Sequence, residues 1–383
     1  MGSASAAPGT EYGDWVVMLE LYRQRWGGDL RRAQIFRRLA DRTGARVANG
    51  WSVRSMARVI GTMPFVLRAL PTPLRLSRPR LAASEQLRPD MLRLIRRVAD
   101  PAVVAIYDDP VAQTASLGMT MSPAKRALYG ARRDENLAAF RWHAVPTRSF
   151  AEMVGMDPAT TIVAGNGTDV AHIRPGPWPD RPAIGMVSGA APGRGIETLI
   201  AAARELHGRL PDLQLLLWLV PTGPESEEYL GDLRASTAND GWIDIDTVAY
   251  DDIGASLARA TVLTVPHPPN DYMDVALPVK LFDSMAAGRP LVVTPRKETR
   301  ALVERHDAGV VAAGDTADDL ARALLGVLDD EPAARRMGSA ARVAAERLYD
   351  WDVAGDRIAD EVLKREGLAA PRQVRSDLGD VLA

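Results

Sequence analysis

The feature that most constrains this chain is a repeated alternation of short apolar runs with helical patterns. Near-continuous apolar runs of strand length occur at 183–187, 213–220, 261–265 and 291–294, with an alternating strand at 243–248 and helical stretches between them at about 195–206, 225–235, 253–260 and 280–287. Runs apolar on both faces and separated by helices belong to a parallel sheet covered on both sides. The spacing therefore predicts βαβ units wound into an α/β domain. A weaker version of the same rhythm runs through the first half. Strands are predicted at 15–21, 103–107, 144–146 and 161–164, with an amphipathic helix over 29–43 after a Gly27-Gly28 turn.

The chain has 383 residues, which is too long for one ordinary core and fits two domains. The stretch 173–182, IRPGPWPDRP, carries four prolines and reads as the linker between them. The expected organisation is an N-terminal domain over 1–175, a C-terminal domain over 176–348, a last helix at 349–366 and a tail at 367–383.

Composition excludes several classes. The formal net charge of -2 gives no global positive field for nucleic acid. No cysteine is present, so disulfides, thiolate nucleophiles and cysteine-ligated metals drop out. The histidines, at 143, 172, 207, 267 and 306, have no metal-ligand spacing, and no metal site is expected. The start, MGSASAAPGT, does not read as a secretory signal, so none is expected, and no apolar run reaches the roughly 20 residues of a membrane span. A cytoplasmic protein is expected.

Two segments carry candidate chemistry. SGAAPGRGIETLI, 188–200, is a glycine-rich turn between strand and helix, where backbone N–H groups and the helix dipole can hold an anion. It is neither GxGxxG nor a P-loop, and a tight structural turn with a solvated Arg194 is the plainer reading. LPVKLFDSMAAGRPLVV, 277–293, puts Lys280 in the first turn of a helix, where the dipole disfavours a cation unless an anion is also present. Lys280 is one of four lysines beside 43 arginines. Asp283 follows three residues later on the same helix face, as a ribose acceptor or as the partner of a surface ion pair. His267 lies in PHPPNDYMD between a strand and this helix.

The 277–293 segment resembles the donor-site helix of GT-B fold, nucleotide-sugar-dependent glycosyltransferases of family 4, P-x-K-x-x-E-x-M-A-x-G-x-P-V-V. TIVAGNGTD at 161–169 is similar to that family's "vxNGvD" segment, and Tyr349 to Asp352 resemble its "ysW", where the last helix crosses back to the N-terminal domain. The Gly27-Gly28 turn resembles its first βα turn. The resemblance implies two doubly wound Rossmann-like domains facing across a cleft, and sugar transfer from a nucleotide-diphosphate donor with retention of configuration, without metal or other cofactor. It implies Arg194 at the phosphate-binding cation, Gly27 and Gly28 at the diphosphate, and Asp283 at the ribose.

The departures are specific. Ser188 stands where the family has an arginine, with Lys280 as the candidate substitute. Val275 stands where it has an earlier glutamate, with Asp271 and Asp274 nearby for the sugar hydroxyls. Where members place a histidine, this chain offers Asp108 and Asp109, which could orient an acceptor hydroxyl or take its proton. Capping of a helix by Asp109 is the competing reading. Asp244-Ile245-Asp246 spells a DxD but alternates within a predicted strand. The basic segment 51–97 suits an anionic surface, so peripheral contact with the inner membrane face stands beside a plain solvated face. A nucleotide-sugar epimerase or hydrolase, and a degenerate transferase serving as partner subunit, remain open alternatives.

Overall fold

The computed structural model describes residues 12–19, 27–49, 78–84, 86–97 and 99–368. Twelve strands form two six-stranded sheets among these residues. The first contains β1 (Trp15–Leu19), β2 (Arg46–Asn49), β3 (Arg80–Ala83), β4 (Asp100–Ala105), β5 (Trp142–Val145) and β6 (Thr161–Val163), in the order β2-β1-β3-β4-β5-β6. The second contains β7 (Ala183–Gly189), β8 (Gln214–Val220), β9 (Ile243–Asp246), β10 (Val262–Val265), β11 (Leu291–Val293) and β12 (Gly309–Val311), in the order β12-β11-β10-β7-β8-β9. All pairings are parallel. Both sheets are covered by helices, which is why inner strands such as β1, β4, β8 and β10 are buried along nearly their whole length.

The chain divides into two compact units. Unit 1 holds the residues up to Val111, Ser122–Gly165 and those from Trp351 on; unit 2 holds Ala112–Met121 and Asn166–Asp350. In unit 2 the chain order reverses between β7 and β10, as in the Rossmann fold, and in unit 1 it reverses between β1 and β3. Ligands of such sheets bind outside the carboxyl ends of the strands at that reversal, because there the loops diverge and leave a crevice.

Several expectations change. The helix expected over 29–43 is two, Gly27–Gln34 and Arg37–Thr43, and the break puts Ile35 and Phe36 in the core. Gly27 and Gly28 open the first of these rather than forming a turn before it, so their N–H groups are among those a helix leaves unpaired by its own carbonyls. The proline-rich stretch is not a free linker. The divide falls earlier, at Gly165 and Asn166, and IRPGPWPDRP packs on unit 2. Arg289 donates to Gly176 O at 3.2 Å and Pro177 O at 2.5 Å. Trp178 lies against the guanidinium groups of Arg289 and Arg335 at 4.9 and 4.5 Å.

The helix Trp351–Arg365 belongs to unit 1 and packs on Arg37–Thr43, with Asp352 paired to Arg37 and Asp360 to Arg42. Gly355 is needed at this contact, since a Cβ there would lie 2.8 Å from Arg38 Cγ. Of the basic segment 51–97, residues 51–77 lie outside the described residues. In the remainder, Arg80, Arg88 and Arg93 form ion pairs with Glu366, Asp90 and Glu135, which reduces the excess charge read from the sequence.

Candidate functional site

The carboxyl end of β7 runs into the glycine-rich turn. Gly193 and Gly195 have φ of +70° and +78°, in the left-handed region that a side chain disfavours. At Gly195 sterics are decisive as well: a Cβ would stand 1.7 Å from Pro266 O. The turn therefore lies directly on the segment leaving β10, and Arg194 is carried between two positions only glycine fills. The helix Ile196–His207 opens at this point.

Lys280 reaches the same place from the helix Val279–Ala286. Its Nζ donates to Ser188 Oγ at 3.2 Å, with Ser188 itself buried at the end of β7. Burial of the ammonium and the nearby Arg194 guanidinium push the lysine well below its ordinary value of 10.5. The ammonium thus stands at the very residue that replaces the resembling family's arginine. No ion pair joins Lys280 to Asp283 among the described residues, so the surface-pair reading fails; each side chain is engaged elsewhere.

His267, just past β10, is 1% exposed, and neither ring nitrogen has a hydrogen-bond partner among the described residues. Burial first, then the charges of Lys280, Arg194 and Arg296, hold it neutral, well below 6.5. The other histidines have evident structural roles. His143 bonds Leu137 O and Thr160, His172 stacks on Tyr250, His207 stacks on Trp242 and His306 bonds the Tyr349 hydroxyl. Arg296 was not singled out from sequence, where it is one arginine among many. It is 6% exposed and pairs with both Asp315 oxygens at 2.6 and 2.7 Å and with Asp274 at 3.1 Å.

Asp283 is 6% exposed and accepts the Thr168 hydroxyl at 2.7 Å. Burial is the main cause that lifts its carboxyl to about 7, helped by Asp169 and opposed by the Thr168 bond. Thr168 belongs to the NGTD segment, and Asn166 of the same segment donates to Leu277 O at 2.9 Å. The two segments that carry the strongest sequence resemblance are therefore bonded to each other. Asp271 is exposed at the start of the short helix Asp271–Val275, and Asp274 is half-exposed with Arg296 on one oxygen.

In unit 1, Asp108 and Asp109 follow β4 and part company. Asp109 is 8% exposed, caps the helix Pro110–Ser116 by accepting Val111 N–H at 2.9 Å, and pairs with Arg133 at 2.9 Å. Both of its oxygens are engaged in holding the fold. Asp108 is more open and pairs with Arg31. In β9 the Asp244 and Asp246 side chains alternate outward, with Asp244 paired to Arg259 at 3.3 Å. No group of three metal-binding side chains occurs among the described residues.

Residues 181–330 match the family described as "Glycosyl transferases group 1". A phosphatidyl-myo-inositol mannosyltransferase of Mycolicibacterium smegmatis is 28% identical over 283 residues, 70% of this chain and 67% of that protein. A GDP-mannose-dependent alpha-(1-6)-phosphatidylinositol monomannoside mannosyltransferase of Mycobacterium tuberculosis is 29% identical over 187 residues, so the match spans about half of each, 47%. The sucrose-phosphate synthase of Thermosynechococcus elongatus superposes with a TM-score of 0.69 at 15% identity, over 93% of this chain and all of that one, which establishes the fold. The chain thus has the GT-B fold, and its residues 181–330 match the glycosyl transferases group 1 family.

Proposed function

We propose that the chain moves a sugar from a nucleotide-diphosphate donor to the hydroxyl of a glycan, glycolipid or secondary metabolite, with retention of configuration and without a bound metal. The observation that carries this reading is the convergence of Arg194, Lys280 and Arg296 around His267, beside a glycine turn at the sheet's reversal. Cleaving the sugar–phosphate bond develops negative charge on the leaving diphosphate, and fixed cations with turn N–H groups stabilise that charge more in the transition state than in the ground state. Metal independence rests on these cations taking the role a metal would have.

Lys280 is held with its proton weakened while the site holds no anion. A diphosphate would reverse the sign of its surroundings and restore the proton, so donor binding takes up protons between the lowered value and 10.5. Asp283 is the carboxylate for a ribose hydroxyl, Asp271 and Asp274 face the sugar, and Asp108 serves the acceptor hydroxyl. Gly27 and Gly28 offer N–H groups to the diphosphate. GDP-mannose is the first donor to test, because one relative is named for it. No helix among the described residues is long and apolar enough to cross a membrane. A cytoplasmic location, with peripheral contact through 51–97, completes the proposal.

The test is thermal unfolding of wild type and Arg194→Ala with uridine, guanosine, adenosine and thymidine diphosphates and their sugars. A ligand at 100 times its Kd adds about 2.7 kcal/mol of stability, a readily measured shift. One base should shift the wild type and fail to shift Arg194→Ala. Transfer should then persist in a strong chelator, with the product anomer matching the donor's. Absence of a shift with every nucleotide contradicts the proposal.

A further inference from the structure

Unit 1 contains a crevice of its own. It is a small, partly open pocket of about 50 Å³ at the carboxyl ends of β3 and β4, bordered by the helix Gly27–Gln34. This is the side of the sheet, close to its reversal at β1 and β3, where a doubly wound fold places its ligand. The lining includes Arg31, Arg32, Arg132, Tyr107, Tyr129 and Asp108, three guanidinium groups against one carboxylate.

Two of these side chains are poorly explained by the fold alone. Tyr107 is 7% exposed, and its hydroxyl is buried without a hydrogen-bond partner among the described residues. Arg31 is 6% exposed, and its Nε–H is likewise buried and unpartnered, although its Nη2 pairs with Asp108. The Arg31 guanidinium lies 5.3 Å from the centre of the Tyr107 ring, so the two donors belong to one locus. Burial raises the phenol's pKa, so Tyr107 is a protonated donor throughout the working range. A buried donor without a partner destabilises the fold, and such a donor is retained where a ligand uses it.

We infer that this pocket binds a phosphate-type oxyanion carried by the acceptor, held by arginine forks and the Tyr107 hydroxyl beside Asp108. Guanidinium groups match a phosphate bidentately, and a phenol adds a neutral donor that a sulfate or phosphate oxygen accepts. Holding the anion next to Asp108 would place a neighbouring hydroxyl of the same molecule at the carboxylate that lines this pocket. The name "acceptor" rests on the transferase reading; the anion site does not.

The experiment uses the full chain, in wild type and in an Arg194→Ala background that removes phosphate binding at the glycine turn. Calorimetric titrations use inorganic phosphate, glycerol 1-phosphate and glycerol, and flotation uses phosphatidylglycerol or phosphatidylcholine vesicles. The probe arms separate a free phosphate ester from a lipid headgroup. Glycerol 1-phosphate or phosphatidylglycerol should bind in both backgrounds, glycerol and phosphatidylcholine in neither.

Tyr107→Phe should keep or raise the unfolding temperature without ligand, because it deletes an unsatisfied hydroxyl. It should weaken phosphate-ester binding about tenfold, and Arg132→Gln by at least as much, while nucleoside diphosphate binding is unchanged in both. Equal phosphate affinity in these variants and wild type, or no phosphate binding by a wild type that binds nucleotide, overturns the inference. Loss of nucleotide binding with phosphate binding intact contradicts the transferase reading instead.

Discussion

Lys280 Nζ donates to Ser188 Oγ across 3.2 Å, joining the helix after β10 to the end of β7. At Ser188, where the resembling family has an arginine, an ammonium is thus held by a helix ninety-two residues later. Charge at a leaving diphosphate depends on where the cation stands, not on which element carries it. Lys280→Met should therefore abolish measurable nucleotide stabilisation.

The same substitution removes a charge whose burial is uncompensated without ligand. Lys280→Met should thus gain about 1 kcal/mol in the ligand-free protein. The sign follows from the lowered lysine value: the unfolded chain holds the proton more tightly, so wild-type stability rises with pH up to 10.5. The variant's advantage should be largest below the lowered value and fade toward 10.5. Denaturant titrations at several pH values read both effects, and a variant less stable than wild type at every pH would mean the ammonium is structurally required.

Asp283 has the opposite slope. Its carboxyl is raised from 3.8 to about 7, so the folded state binds the proton more tightly than the unfolded one. Its contribution is present below 3.8 and is lost as pH rises through 7. Asp283→Asn retains an acceptor for the Thr168 hydroxyl while removing the buried charge. It should flatten stability across that window and gain most above it, roughly 4 kcal/mol at the upper limit. Nucleotide affinity should fall by about tenfold at the same time if the carboxylate takes a ribose hydroxyl.

Asp108 and Asp109 should separate cleanly. Asp109→Ala removes a cap and leaves Arg133 with only the exposed Asp134 as an ion-pair partner among the described residues, so it should cost about 2 kcal/mol in unfolding experiments. Asp108→Asn should leave stability within about 1 kcal/mol and lower kcat by roughly 10² or more, with the donor KM unchanged. A full rate for Asp108→Asn would remove it from the chemistry and leave it only as the partner of Arg31.

The second sheet was legible because β7, β8, β10 and β11 are apolar on both faces and separated by helical patterns. The strands β2, RVAN, and β3, RLAA, are four residues each, and β12, GVV, is three. The strands β10, VLTV, and β11, LVV, are as short but uniformly apolar or β-branched, whereas arginine, asparagine, alanine or glycine fills much of the other three, so tertiary pairing decides them. Lys280 was legible because a cation in the first turn of a helix conflicts with the dipole. Its bond to Ser188 was not, since only the folded sheet brings the two together. Arg296 gave no local signal at all: its partners Asp274 and Asp315 meet it only through tertiary packing. Asp109 was ambiguous in sequence because an aspartate before proline serves capping and acid–base chemistry equally well, and the Val111 and Arg133 bonds decide its structural part.

The glycine turn gives the sharpest steric prediction. A methyl group at Gly195 meets Pro266 O at 1.7 Å and also requires a φ of +78°, so Gly195→Ala forces the turn away from the segment that carries His267. The expected cost is about 3 kcal/mol or more, with loss of nucleotide binding, since both strain and overlap must be relieved. Gly130→Ala is the internal comparison. Gly130 lies inside the helix Pro123–Ala139, and nothing stands within 4 Å of its added Cβ. It should raise stability by about 1 kcal/mol through helix propensity and leave nucleotide binding alone. Equal stability changes of one sign in the two variants would mean that the turn is not packed on Pro266 as described, and the grouping of Arg194 with Lys280 and His267 would fall with it.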